Sequence, residues 1–138
     1  MFCFAQTTNP EYDQALAESL GADQYGMKSF VLVILKTGET QMDDKDKVNE
    51  LFKGHMANIS KLVEDGKLIV AGPLGKNDLS YRGIFILDVK TIDEAKVLVD
   101  TDPAVISGLL AADYFPWYGS AALPVYLDTA KKITKENH

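Results

Sequence analysis

The residue with the most chemical potential is His55, in the stretch "LFKGHMANISKLVEDGKL" at residues 51 to 68. Imidazole changes charge near neutral pH and can give or take a proton without large tuning. Placing the residues of this stretch 100° apart gathers Val48, Leu51, Phe52, Met56, Ile59, Leu62 and Val63 into one apolar stripe. His55 lands inside that stripe, nearly above Ile59 and Leu62, and so faces inward. Two readings follow: a core histidine bonded to a backbone carbonyl, or a proton-transfer group beside a cleft. A buried polar group left unpaired costs about 1–3 kcal/mol, so either way His55 requires a partner or a wet cleft.

A catalytic imidazole is normally oriented by a carboxylate that fixes its tautomer. Asp102 in "TDP" is the attractive choice, because it stands at a helix start where a side chain can turn inward and Pro103 holds the backbone. Capping alone also explains an Asp-Pro pair at that position. Arg82, the chain's only arginine, stands at a strand entrance. There it could hold a substrate carboxylate bidentately or make a surface ion pair. The aromatics of "YFPWYG", with Trp117 among them, could line a pocket for a flat ligand or pack in a core or interface. "GPLGK" at 72 to 76 lacks the length and final Ser or Thr of a phosphate-binding loop. Two histidines, one of them His138 near the end of the sequence, and a single cysteine argue against a dedicated transition-metal site. No cofactor fingerprint is present, so the chemistry is expected to need neither metal nor organic cofactor.

The elements that must position these residues can be read from the hydrophobic pattern. "KSFVLVILKTG" is a first strand, apolar on successive residues from Phe30 to Leu35 and stopped by Gly38. The His55 helix follows and is closed by Gly66. "KLIVAGP" is a second strand, "LGKNDLSY" a polar loop and "RGIFILDV" a third strand. "TIDEAKVLVDTD" is a helix with a Thr91–Glu94 capping box. "DPAVISGLL" begins a short helix or turn that ends near Gly108, and "AADYFPWYG" is a fourth strand interrupted at Pro116. The order is βαββαβ, an α+β ferredoxin-like fold with an antiparallel sheet. Both helices of that fold cover one sheet face, yet the strands are apolar on both sides, so the second face needs a cover as well. The sheet of a second copy is the simplest cover and predicts a homodimer with sheets facing; the chain's own "YFPWYGSAALPVYL" is the competing one.

The 138 residues suit one domain, divided here into an N-terminal arm (1–27), the domain proper (28–120) and a C-terminal tail (121–138). Acidic residues exceed basic ones by 20 to 14, and the cations are scattered, which argues against nucleic acid as a partner. No apolar run approaches the ~18 residues that would mark a membrane helix. A lone Cys3 cannot form an intrachain disulfide. "MFCFAQ", with small residues at Cys3 and Ala5, fits the stub of an export signal whose start lies upstream; a plain tail on a cytoplasmic protein is the alternative.

Taken together, "GHMANISKLVEDGKLIVAGP", "RGIFIL", "TIDEAKVLVDTDPAVISGLL" and "PWYG" resemble the YCII-related (YciI-like) family of the dimeric α+β barrel superfamily, over residues 28 to 120. The resemblance implies a ferredoxin-like fold that dimerises through its sheets, and an active-site His-Asp dyad that maps to His55 and Asp102. One branch of that family removes chloride from a chlorinated hydroxyquinol, and relatives in the superfamily isomerise lactones or bind haem. The arm and "PWYGSAALPVYL" depart from the shorter family members and leave the substrate open. The expected function is a small-molecule enzyme of the lyase, dehydrochlorinase or isomerase kind, with His55 and Asp102 as acid/base pair and Arg82 and Trp117 at the ligand. The alternative is a dimer that binds or senses a small molecule without turning it over.

Overall fold

The computed structural model describes residues 8–137. A short helix α1 (Gln14–Ser19) precedes strand β1 (Met27–Thr37), helix α2 (Lys45–Glu64), strands β2 (Leu68–Pro73) and β3 (Tyr81–Leu87), and helices α3 (Ile92–Val99) and α4 (Pro103–Ile106). Strand β4 (Leu110–Ser120), a 3-10 turn (Leu123–Val125) and helix α5 (Tyr126–Ile133) complete the chain. The strands form one antiparallel sheet in the order β2-β3-β1-β4. That is the ferredoxin-like βαββαβ arrangement.

Local chemistry sets the element ends. Asp44 caps α2 by accepting from Asp46 N and Lys47 N at 3.1 and 3.2 Å. Gly66 ends it in the left-handed conformation (φ 72°). Thr91 caps α3 by accepting from Glu94 N at 3.2 Å, and the Glu94 carboxylate returns to Lys90 N at 3.4 Å, one residue before the expected capping-box partner. One expectation is corrected: β4 is not interrupted, because Pro116 stays in register opposite Val31. Strand β4 is an edge strand of the sheet, where the missing proline N–H removes no ladder bond on the open side.

Although β1 is apolar on successive residues, it serves two cores. Val31, Val33 and Leu35 join Phe85, Leu87, Leu62, Leu68, Val99 and Leu110 beneath the helices. Phe30 joins Ile69 and Ile86 on the opposite face, with Trp117 packed against them. The tail covers part of that second face: Leu123 and Leu127 pack on this cluster, and the Tyr126 hydroxyl donates to the Ile69 carbonyl. Farther along the same face Leu32, Ile34 and Ile84 are only half-buried in the single chain, and Phe115 is 46% exposed.

The arm lies at the surface, with Tyr12 and Leu16 exposed. It is tied to β4 where the Tyr118 hydroxyl donates to Asp23 Oδ2. That bond holds the Asp23 carboxyl below its ordinary value and, from the other side, raises the Tyr118 phenol. "MFCFAQ" and the export reading attached to it lie outside the described residues. No helix among the described residues is long and apolar enough to cross a membrane.

Candidate functional site

Asp102 is the one charged side chain buried in the cores among the described residues. Its two carboxylate oxygens divide the work. Oδ1 accepts from Ala104 N at 2.9 Å and caps α4, while Oδ2 meets His55 Nδ1. Capping and pairing, rival explanations at the level of sequence, are here simultaneous. The pair is well shielded: the His55 side chain is 13% exposed and that of Asp102 1%. An ionised carboxylate can only accept, so Nδ1 carries the hydrogen and the neutral ring offers its Nε2 lone pair to whatever lies beyond.

Two features bring α2 and α4 close enough for this contact across 47 residues of sequence. At Gly54, the residue before His55, an added Cβ would stand 3.0 Å from Pro103 Cγ. A glycine in a helix interior costs ~1 kcal/mol relative to alanine, and here the missing side chain is what lets α4 approach. Beside it, the Thr101 hydroxyl lies 3.1 Å from Asn58 Oδ1 and 2.6 Å from the Leu98 carbonyl, a second tie between α2 and the loop carrying Asp102. Gly54→Val should push α4 away, part His55 from Asp102 and destabilise the fold by ~1–3 kcal/mol. Chemical denaturation, together with loss of the hydrogen-bonded Nδ1 proton resonance in the NMR spectrum, checks this; an intact resonance would show that Gly54 does not set the approach.

The His55 ring stands between two aromatics, nearly parallel to Phe85 (22°, centroids 6.2 Å apart) and edge-on to Phe52 (83°, 6.0 Å). It forms one wall of a cleft of about 480 Å³ between α2 and the sheet, lined mainly by apolar groups that include Phe52, Met56, Ile59, Leu35 and Phe85. This cleft explains why the apolar stripe of α2 is only partly buried: Leu62 is its one fully buried residue, while Met56 faces open space. Arg82 stands at the same cleft, its guanidinium carbon 5.9 Å from the Phe52 ring centroid.

Three of the four sequence candidates, His55, Asp102 and Arg82, therefore converge on one region, and Trp117 does not. Register places Trp117 opposite Phe30 on the other sheet face, with ring centroids 5.7 Å apart, so in this chain it packs in the second core. Phe52, Phe85 and Gly54 are contributors that sequence reasoning passed over. Gly54 alone carried a signal, as an unexplained glycine in the middle of a strongly periodic helix. Tyr114, beneath α3, is no candidate acid: burial, and secondarily the Asp100 charge, push its phenol up to about 12. Among the described residues no group of three or more His, Cys, Asp or Glu side chains is placed to hold a metal ion.

No curated protein matches the chain. A solved structure similar to it is that of 5-chloro-2-hydroxyhydroquinone dehydrochlorinase (TftG) from Burkholderia phenoliruptrix AC1100 in complex with 2,5-dihydroxybenzoquinone, at 22% sequence identity and a TM-score of 0.45, covering 63% of this chain and 92% of that one. The family model described as the YCII-related domain matches residues 29–117, from β1 into β4 and across both His55 and Asp102, and the chain belongs to that family.

Proposed function

We propose that this chain is a small-molecule enzyme that works without metal or organic cofactor, with His55 as general base or acid on an acidic or enolisable, aromatic substrate. What carries this reading is the buried His55–Asp102 contact at the wall of an apolar cleft. Asp102 holds the ring so that Nε2 takes a proton from a carbon or hydroxyl acid, and it stabilises the imidazolium that forms. Phe52, Met56 and Ile59 give the cleft apolar walls for a flat substrate, and Arg82 supplies positive charge for its acidic group or for an enolate as it develops. A lyase, dehydrochlorinase or isomerase cycle fits such a pair, since each begins with loss of a substrate proton to His55. An isomerase returns it to another atom, whereas an elimination expels a leaving group such as chloride with its bonding electrons and the imidazolium then gives its proton to solvent. The experiment is a metabolite screen for compounds consumed by the wild-type chain and spared by His55→Gln. Ligands that bind in the cleft and are never consumed would instead favour a binding or sensing dimer.

The expected partner is a second copy. The half-buried Leu32, Ile34 and Ile84 and the exposed Phe115 form a strip on the outer sheet face beside the area occupied by the tail. A strip of this kind is an apolar patch that association would cover. Wild-type chain should sediment as a dimer, and Phe115→Glu should shift it toward monomer by placing a charge in the contact. A monomeric wild type in sedimentation velocity at micromolar concentration would remove the dimer.

A further inference from the structure

Beyond the cleft, on the far side of Arg82, lies a second recess of about 360 Å³ with a different character. Its lining sets Thr37, Lys76, Asn77, Ser80 and Arg82 beside Tyr81 and Leu74, and so shares Arg82 with the cleft. We propose that this recess takes an anionic group of the ligand, a carboxylate or phosphate, held between Arg82 and Lys76 while the apolar body lies in the cleft against His55. The inference rests on the functional reading above for its substrate and adds where that substrate carries its charge.

The loop that builds the recess, residues 74–80 between β2 and β3, is held in a single shape. The Asn77 amide donates to the carbonyls of Gly75 and Tyr81 at 2.9 and 2.8 Å. Its oxygen accepts from Leu79 N and Tyr81 N, each at 3.1 Å. Leu74 N donates to the Arg82 carbonyl at 2.9 Å and Thr37 N to the Ser80 carbonyl at 3.0 Å, which fastens the loop to β3 and β1. Ser80 is the one non-glycine residue with positive φ among the described residues (57°). Such a conformation costs about 1–3 kcal/mol, and it persists here because the surrounding bonds dictate it.

The charges point the same way. The chain carries a net charge of −6, yet among the described residues the ion pairs are Lys28–Asp88, Lys36–Asp113 and His55–Asp102, and neither Lys76 nor Arg82 takes part in one. Asp78, the one acid in the loop, does not line the recess. The exposed Arg82 guanidinium, its carbon 5.9 Å from the Phe52 ring centroid, stands at the border of cleft and recess, and its fork suits a planar or tetrahedral anion. Two cations without carboxylate partners, the hydroxyls of Thr37 and Ser80, and a preformed loop next to an apolar cleft make a site for an amphipathic anion, with pocket and charge on either side of one arginine.

Isothermal titration of the full chain with three unreactive probes tests this: 2-naphthoate, 2-naphthyl phosphate and the neutral 2-naphthylmethanol. At least one anion should bind ~10-fold or more tighter than the alcohol, and the tighter anion identifies the preferred group. Lys76→Gln should weaken the anions by ~3–10-fold and leave the alcohol unchanged, while Lys76→Arg should retain the wild-type preference. The proposal is overturned if the alcohol binds as tightly as both anions, if neither anion binds at millimolar concentration, or if Lys76→Gln affects all probes alike or none. Because the probes do not react, these results are independent of whether His55 supports turnover, and the two ideas can fail separately.

Discussion

Replacing His55 by Gln should lower turnover of the enzyme's substrate by ~10²–10⁴-fold while the melting temperature stays within a few degrees of wild type. Gln is close in size to His and can still donate an amide hydrogen to Asp102 Oδ2, so the buried carboxylate keeps a partner. It cannot accept a proton and pass it on. His55→Ala is the poorer test, because it empties space between Phe52 and Phe85 and leaves a buried carboxylate oxygen unpaired, at a cost of ~1–3 kcal/mol. A fall in kcat with unchanged ligand affinity would assign His55 to the chemical step. Unchanged turnover of an identified substrate would remove the acid/base reading altogether.

Most of the scaffold was legible because its signals are local. Gly66, Thr91, and the Asp102–Pro103 pair each mark a helix end through short-range hydrogen bonds or a fixed dihedral angle, and each does so in the structure. The inward direction of His55 followed from helical geometry alone. What sequence could not decide was long-range. Whether Asp102 served as cap or partner depended on bringing together two residues 47 apart in sequence, through a close approach of α2 and α4 that Gly54 and Pro103 permit by having so little between them. Trp117 shows the converse limit. Its aromatic neighbours suggested a pocket, but a strand alternates faces, and one register step decides between the cleft and the opposite core. Pro116 looked like an interruption because chain order does not reveal which strand forms the edge of the sheet. The tail was apolar enough to cover the outer face, and Leu123 and Leu127 do so, but only in part.

Two substitutions at Asp102 should separate its roles. Asp102→Ala removes the cap on α4, worth ~0.5–2 kcal/mol, and strands His55 Nδ1 in a nearly closed setting, which brings the total loss to ~2–5 kcal/mol. Asp102→Asn keeps an oxygen for Ala104 N and keeps the side-chain volume, so denaturant unfolding should register a loss of no more than ~1–2 kcal/mol. Its amide, however, would face His55 with N–H where the carboxylate offered a lone pair. Nδ1 must then accept, the ring hydrogen moves to Nε2, and the nitrogen facing the cleft can no longer act as base in the neutral ring. Turnover of Asp102→Asn should therefore fall by ~10²-fold or more, out of proportion to its small effect on stability. If Asn instead retained turnover while Ala lost both stability and activity, Asp102 would be a cap that supports the site only by holding α4 in place, and the orientation of His55 would have to come from the Phe52 and Phe85 rings.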